Sequence, residues 1–176
     1  KPNSLGDNIP FINLGGKKAL SIKAEDHSYC VLLEDNSLSC WGRDSYGKIG
    51  NNGAATSNPI TVNTSSTKKI LDYDVGVEAS CVVYSDGTSA CWGEGQYGSL
   101  ANGSTADVRN PTTQLGDNIY FNEHGSKTPI SVFVGRQSCF LYSDLTSRCY
   151  GPTRYGVLQP VAGLYGDEPS ELNDGL

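Results

Sequence analysis

The sequence predicts an all-β fold, a partial β-propeller of about three antiparallel blades with one disulfide across the central hairpin of each blade. Three observations predict this fold: a block of sequence occurs three times, its copies read as short strands, and each copy carries two cysteines at the same spacing. The composition agrees, because 21 of the 176 residues are glycine and only 18% are charged. Such a composition is typical of short strands joined by many turns.

The repeated block begins at a cysteine and ends at a Tyr-Gly pair. Within it, a second cysteine follows ten residues after the first, and an aromatic residue and a glycine come next. A second element, Leu-Gly-Asp-Asn-Ile, begins at Leu5 and again at Leu115, with a weaker echo over residues 172–176. Repeats of about 40 to 50 residues built from short strands are typical of propeller blades. The copies predict blades over residues 5–57, 58–114 and 115–171.

Each repeat reads as β-structure. In the first repeat, the runs at 19–22, 29–33 and 37–41 are four or five residues long and are bounded by polar turn residues, as short strands are. No part of the sequence carries a helical apolar stripe long enough to support a helix. A stack of small disulfide-rich modules is the alternative, but such modules carry about six cysteines in 40 residues, and each repeat here has two.

The cysteine spacing predicts the hairpin at the centre of each blade. Cys30 and Cys40 are equidistant from Asp35, so a tight turn through residues 34–36 sets them directly opposite each other. Facing residues of an antiparallel pair have Cα atoms about 4.5–5.5 Å apart, a separation that a disulfide can bridge. The predicted disulfides are Cys30–Cys40, Cys81–Cys91 and Cys139–Cys149.

The last residue of this turn is expected to be left-handed, a conformation that favours glycine or asparagine. Asn36 and Gly87 fit that expectation, but the third repeat has Leu145, which predicts a strained turn. Residues that depart from the repeat are better candidates for specific contacts than residues that build the scaffold. Leu145 and Arg154 are therefore candidate partner contacts, with neutral drift as the alternative at Leu145.

Recurring aromatic residues are assigned to blade packing. They follow the second cysteine or precede the glycine that ends the block: Trp41, Trp92, Tyr46, Tyr97 and Tyr155.

Reactive chemistry is not indicated. The cysteines form no C-x2-C cluster of the kind that zinc or redox sites use. His27 and His124 lie in no ligand cluster, so a structural or surface role is expected for both. Asp72 and Asp74 share one face of a strand, but calcium needs six to eight oxygen ligands. We therefore predict no enzyme activity, no metal site and no cofactor.

Three hairpin disulfides place the protein in an oxidising compartment: secreted, at the cell surface, or in an organelle lumen. Two sequons make Asn63 and Asn102 candidate N-glycosylation sites, although such short motifs also occur by chance. A net charge of −6 argues against nucleic-acid binding, and the sequence has no apolar stretch of 18 residues that would span a membrane.

Three blades cannot close a ring, because closed propellers have about four to eight. The sequence also has no methionine and no apolar signal core near Lys1, which favours a mature segment or an excised piece. The expected partners are therefore the remaining blades of the parent chain or other protein subunits that complete the ring.

The block Cys-x9-Cys-Trp-Gly-x3-Tyr-Gly resembles the repeat of the regulator-of-chromosome-condensation (RCC1) family. The third copy departs from it with Tyr150 in place of the tryptophan. The resemblance is sharpest to the secreted, disulfide-containing branch, and it implies a circular propeller without implying one function. Members include a nuclear exchange factor for a small GTPase, chromatin binders and secreted inhibitors of β-lactamases. The acidic charge and the paired cysteines weigh against the nuclear roles.

A repeated scaffold with no repeated reactive group predicts a non-catalytic structural or protein-binding module of an extracellular, cell-surface or lumenal assembly. One alternative is a secreted propeller that inhibits an enzyme by covering its active site. A second is a carbohydrate-binding propeller, which would need an exposed aromatic side chain in each blade.

Overall fold

The structure is a computed structural model that describes residues 9–122 and 124–152 and the backbone of residues 164–165. The described residues form β-strands and short 3-10 turns, with no α-helix among them. The strands are β1 (Ala19–Glu25), β2 (Ser28–Leu33), β3 (Leu38–Gly42), β4 (Thr56–Thr61), β5 (Ile70–Val75), β6 (Ala79–Tyr84), β7 (Ser89–Gly93), β8 (Pro129–Val134), β9 (Ser138–Tyr142), β10 (Ser147–Pro152) and β11 (Leu164–Tyr165). The 3-10 turns cover Ser45–Gly47, Gln96–Gly98 and Gly116–Asn118.

The strands form three antiparallel sheets in which neighbours in sequence are neighbours in space. The first blade has the order β1-β2-β3-β4, the second β5-β6-β7, and the third β8-β9-β10-β11. In the second blade, isolated bridges to Val108 and Asn122 take the place of an outer strand beside β7. The partial propeller predicted from the repeats is therefore confirmed. The blade limits stay a prediction, and β4 lies across the first of them.

The register of each central hairpin places its two cysteines directly opposite each other. The Cα atoms of the three pairs are 4.1, 4.1 and 4.0 Å apart, and all three pairs are bonded as the spacing predicts. Each bond closes a loop with a sequence separation of 10. On the chain-entropy model such a loop contributes about 2.7 kcal/mol of stability.

The hairpin turns show the expected left-handed residue in all three blades. The φ angle is 69° at Asn36, 86° at Gly87 and 67° at Leu145. For a residue with a Cβ atom, this conformation costs about 1–2 kcal/mol, and leucine lacks the short polar side chain that lets asparagine offset the cost locally. The strain predicted at Leu145 is present, and its side chain is 82% exposed at the tip of the turn.

A lysine–aspartate pair also recurs at the turns, which the sequence analysis did not anticipate. The aspartate accepts a hydrogen bond from the backbone N–H two residues later in every blade, and the lysine precedes the first strand. Burial disfavours the charged form of Asp86, but hydrogen bonds from Lys68 and Thr88 outweigh it and lower its pKa to about 2. The pairs are Lys17–Asp35, Lys68–Asp86 and Lys127–Asp144.

The core lies between adjacent blades. Leu38, Ile49 and Val62 of the first blade and its outgoing loop pack against Tyr73 and Val75 of the second. A second cluster joins the second and third blades in the same way through Val83, Leu100, Val132, Val134 and Phe140. Face-to-face packing of successive sheets is the geometry of a propeller.

The packing role assigned to the tryptophans is confirmed, since Trp41 is 8% exposed and Trp92 is 1% exposed. The same assignment is wrong for Tyr46, which is 42% exposed. Tyr46 lies in a 3-10 turn between β3 and β4, outside the sheet. Tyr97 is half-buried in the equivalent turn, and Tyr155 lies outside the described residues.

Candidate binding surfaces

The paired carboxylates of β5 join the second blade to the third. Asp72 accepts hydrogen bonds from the Ser131 hydroxyl and, at 3.1 Å, from the Val132 N–H. Asp74 accepts the Val134 N–H at 2.8 Å. Burial raises the pKa of Asp74. For Asp72, burial acts in the same direction, but the hydrogen bonds from Ser131 and Val132, together with the Lys23 ammonium, outweigh it and lower its pKa. These two residues therefore have a structural role between the inner strands.

His124 has a structural role at the same interface. Its ring is 3% exposed. Its Nε2 lies 2.9 Å from the Ser89 hydroxyl of β7, and its Nδ1 lies 3.1 Å from the Tyr142 hydroxyl of β9. Burial, with repulsion from Arg148, lowers its pKa to about 4. His27 is exposed in the turn between β1 and β2. The structural or surface reading of the two histidines is confirmed.

On the face of the first blade that points away from the second blade, strand β1 is uncovered, whereas Val31, Leu33 and Trp41 are buried in a cluster with Leu14. The registers of the first two strands of each sheet make Ile22, Tyr73 and Val132 equivalent. Tyr73 and Val132 are 2% and 0% exposed because the preceding blade covers them, whereas Ile22 is 60% exposed. The same contrast holds at the two flanking positions on the same face of the strand. The uncovered face comprises Ala19, Ile22 and Ala24, and the buried equivalents of the flanking alanines are Ile70, Val75, Pro129 and Val134.

The first junction, between the first and second blades, contains a buried ammonium group. Lys48 follows the Tyr-Gly pair of the first repeat, and its side chain is fully buried. Its Nζ donates to the carbonyl of Val77 at 2.8 Å and to that of Gly76 at 3.3 Å. The Nζ also donates to the Asp26 carbonyl at 3.4 Å and to the Asp26 carboxylate at 3.5 Å. Burial lowers the pKa of Lys48, and the Asp26 carboxylate acts against that shift.

The second junction, between the second and third blades, has a different residue at the same place. Ser99 follows the Tyr-Gly pair of the second repeat, and its hydroxyl donates within its own blade, to the carbonyls of Glu94 at 2.7 Å and Gln96 at 3.2 Å. A cleft of about 520 Å³ opens there. It is lined by residues of both blades, among them Glu78, Glu94, Gln96, Tyr97, Gly135 and Arg136.

Two carboxyl groups lie together in this second-junction cleft. Burial, a side-chain hydrogen bond with Glu78 and the repulsion of that carboxylate raise the pKa of Glu94 to about 7. Arg136 lies near the pair: its guanidinium is 4.0 Å from Glu78, and its side chain is 70% exposed. Asp107 also repels Glu94, and it forms an ion pair with Arg109 at 3.5 Å. The lining of the cleft therefore combines two carboxyl groups with the Arg136 guanidinium.

The residues proposed from the sequence lie elsewhere. Leu145 is at the tip of the third hairpin, and Arg154 lies outside the described residues. Asn63 is exposed, and its side-chain amide donates to the Pro111 carbonyl at 2.8 Å. Asn102 is half-buried and accepts the Ser104 N–H at 3.1 Å. Partner contact and glycosylation at these positions stay predictions.

Sequence reasoning missed Lys48, Glu78 and Glu94. The available signal was the residue after each Tyr-Gly pair, which changes from lysine in the first repeat to serine in the second. Lys48, Ser99 and Val157 each follow the constant Tyr-Gly pair, so this position differs in every repeat.

Comparisons with known proteins agree with the fold. No protein-family model matches the chain. Over 87 residues, 49% of its length, it is 28% identical to the human E3 ubiquitin-protein ligase HERC2 and equally to the mouse protein. That match spans 2% of the ligase.

Three solved structures share the architecture at low sequence identity. Human WBSCR16 superposes with a TM-score of 0.66 at 15% identity, over 86% of this chain and 38% of its own. Yeast RCC1 (Prp20), whose structure was solved bound to Kap60, superposes with a TM-score of 0.65 at 16% identity, over 88% of this chain and 37% of its own. The CRINKLY ectodomain of the Arabidopsis thaliana receptor kinase ACR4 superposes with a TM-score of 0.50 at 17% identity, over 78% of this chain and 43% of its own.

The sheets, the order of their strands and these likenesses define the class of the chain, an open β-propeller. By fold it is an RCC1-like repeat propeller, as the repeated cysteine–tryptophan–glycine block indicates. Within the described part of the chain, no helix is long and apolar enough to cross a membrane.

Proposed function

We propose that the chain is a non-catalytic structural or protein-binding module of an extracellular, cell-surface or lumenal assembly. The observation that carries the proposal is the uncovered face of β1 in the first blade. Ala19, Ile22 and Ala24 are exposed in β1, although the equivalent positions are buried in both following blades. Because the equivalent surface is covered in both following blades, we infer that this surface of β1 is also covered by a partner.

The occupant that fits this face is a further blade of the same type, from the same polypeptide or from another subunit. The first blade covers Tyr73 with Leu38 and Ile49, so an added blade would cover Ile22 with equivalent residues. Burial of a side chain the size of isoleucine contributes about 1.5–3 kcal/mol.

Relatives with this fold support a binding role. Yeast RCC1 (Prp20) is crystallised with Kap60, and a second crystal structure, of Prp20p from Saccharomyces cerevisiae, concerns its binding to Gsp1p and histones. The acidic charge of −6 favours protein partners over nucleic acid for the present chain.

Two observations support an oxidising compartment. Each blade carries one disulfide across its central hairpin, and such bonds persist outside the reducing cytosol. The receptor-kinase ectodomain shows that this fold occurs in an extracellular domain. A peptide map of the natural protein under non-reducing conditions tests the assignment. Three intact hairpin disulfides support it, and six free thiols contradict it.

A pair of variants in one strand tests the docking face. Ile22→Asp places a charge where a further blade would pack. Leu20→Asp, in the same strand, is the matched control, because Leu20 and its equivalents Leu71 and Ile130 are all exposed. In the intact protein, analytical ultracentrifugation and limited proteolysis should show loss of the assembly or loosening of the first blade with Ile22→Asp alone. Equal behaviour of the two variants would contradict the proposal.

A further inference from the structure

The first strands of the second and third blades are joined by side chains that bind backbone amides. Asp72 accepts the Val132 N–H at 3.1 Å, and Asp74 accepts the Val134 N–H at 2.8 Å. Both amides belong to β8, which pairs with β9 on one side and ends its sheet on the other. Two carboxylates of β5, two residues apart, thus bind two amides at the free edge of the following strand.

Strand β1 presents the same two amides at its own edge. It also ends its sheet, and the registers make Ile22 and Ala24 equivalent to Val132 and Val134. A two-residue turn joins β1 to β2, so the hydrogen bonds between these strands alternate from Glu25 backward along β1. That alternation directs the N–H groups of Ile22 and Ala24 away from β2, as the equivalence also requires.

The acids at the two junctions show which strand β1 resembles. At the first junction the receiving strand β5 carries Asp72 and Asp74 itself, and Asp74 interacts with the Val75 N–H of its own strand. The third blade has Phe133 in place of Asp74, and the first blade has Lys23, whose ammonium donates to Asp72 at 3.2 Å. Neither β8 nor β1 has a carboxylate of its own at this position, and β8 receives its carboxylates from the preceding blade.

The residues at the Asp72 position agree with this likeness. Both β1 and β8 have a serine there, Ser21 and Ser131, and the Ser131 hydroxyl is a third donor to Asp72. In the first blade, the Ser21 hydroxyl donates instead to the Tyr73 hydroxyl at 3.2 Å. The residue types that receive the two carboxylates in β8 are thus repeated in β1.

We propose that the partner strand that packs against β1 carries two carboxylates two residues apart, in the pattern Asp-x-Asp, which accept the Ile22 and Ala24 N–H groups. This inference rests on the proposed docking role and deepens it by naming the chemistry of the partner strand. The third blade of a second copy does not fit, because it would present Ser131 and Phe133 at these two positions. The partner strand is therefore of the β5 type.

A peptide with the sequence of β5 tests the acidic pattern separately from any assembly. Acetyl-Ile-Leu-Asp-Tyr-Asp-Val-amide is titrated into the isotopically labelled protein, and the amide signals of Ile22 and Ala24 are followed by NMR. We expect saturable shifts of both signals with a dissociation constant on the order of millimolar, since a short flexible peptide makes few contacts and loses its freedom on binding.

The matched control peptide has asparagine in place of both aspartates. It should bind at least about tenfold more weakly, because hydrogen bonds to a charged acceptor are roughly twice as strong as those to a neutral one. A peptide that merely adds a strand through its backbone would bind equally well with either side chain. Equal affinity of the two peptides would therefore overturn the proposal.

Variants of one residue test the amide itself. Ala24→Pro removes one of the two donors at an edge where proline is tolerated, and it should weaken binding of the acidic peptide at least about fivefold. Ala24→Val keeps the N–H and supplies the residue found at the equivalent positions of β5 and β8, so it should bind at least as tightly as the natural protein.

The peptide controls on the natural protein keep the test decisive if Ala24→Pro does not fold. Absence of binding to the natural protein, or unchanged binding to a folded Ala24→Pro variant, would overturn the proposal. If either result accompanied protection of Ile22 in the natural assembly, the docking face would stand and the acidic partner strand would not.

Discussion

Replacing His124 with glutamine should remove a specific part of the acid sensitivity of this protein. The imidazole is buried between the second and third blades, and its pKa falls from 6.5 to about 4. As the pH drops below 6.5, the His124 imidazole becomes protonated in the unfolded chain, whereas in the folded protein it does not bind the proton until about pH 4. The free energy of unfolding therefore decreases as the pH falls through this window.

The size of the effect follows from the shift. A difference of one pKa unit corresponds to about 1.4 kcal/mol, so this histidine should cost about 2 kcal/mol of stability by pH 5 and about 3 kcal/mol by pH 4. His124→Gln cannot bind that proton and keeps an amide that can donate or accept toward Ser89 or Tyr142. Loss of one of the two hydrogen bonds should lower its stability at pH 7 by about 1–3 kcal/mol, but without adding pH dependence.

The assay is equilibrium unfolding in denaturant at pH 7, 6, 5 and 4, with the disulfides intact. Other titrating groups, including Glu94, whose raised pKa makes stability increase as the pH falls from about 7, are present in both proteins and cancel. The matched control is His27→Gln, which removes an exposed imidazole and keeps the buried one. Stabilities of the natural protein and His124→Gln that fall in parallel with pH would refute the reasoning.

Three further changes test the scaffold. Leu145→Gly should raise the free energy of unfolding by about 0.5–1 kcal/mol, because relief of left-handed strain exceeds the entropy that glycine loses. A loss of stability in thermal unfolding would contradict this prediction. Unchanged affinity for a partner would show that Leu145 is not a contact residue. Cys81→Ala with Cys91→Ala should lower the free energy of unfolding by about 2.7 kcal/mol in denaturant titrations, and no change would show that the hairpin constraint contributes nothing. Lys48→Met keeps the stem but leaves buried carbonyls without their donor, so chemical denaturation should show a loss of about 1–3 kcal/mol; equal stability would contradict the junction's dependence on the ammonium.

The blade hairpins could be predicted from the sequence because their constraints are local. Cys30 and Cys40 lie symmetrically about the turn, and that symmetry determines the register, the disulfide and the left-handed residue at Asn36 together. The strain at Leu145 followed from the same argument, applied to a residue that does not suit the position. Period and spacing suffice where the contacts are between residues close in sequence.

The junctions could not be predicted in this way, because their contacts join residues of different blades. Lys48 meets Gly76 and Val77 across 28 and 29 residues of sequence, and no local pattern places them together. Tyr46 shows the same limit, since its recurrence suggested packing although its turn lies beyond the sheets. Comparison of equivalent positions between repeats, once the register is known, is what reveals the difference between the two junctions.

The most direct measurement of the central claim is hydroxyl-radical footprinting of the protein in the form isolated from its natural source. Ile22 lies on the uncovered face, and Leu20 in the same strand is exposed to a similar degree, at 64% against 60%. If a further blade covers the face, Ile22 should be protected from oxidation while Leu20 reacts. Equal oxidation of the two side chains would show that the face is open to solvent and would contradict the account.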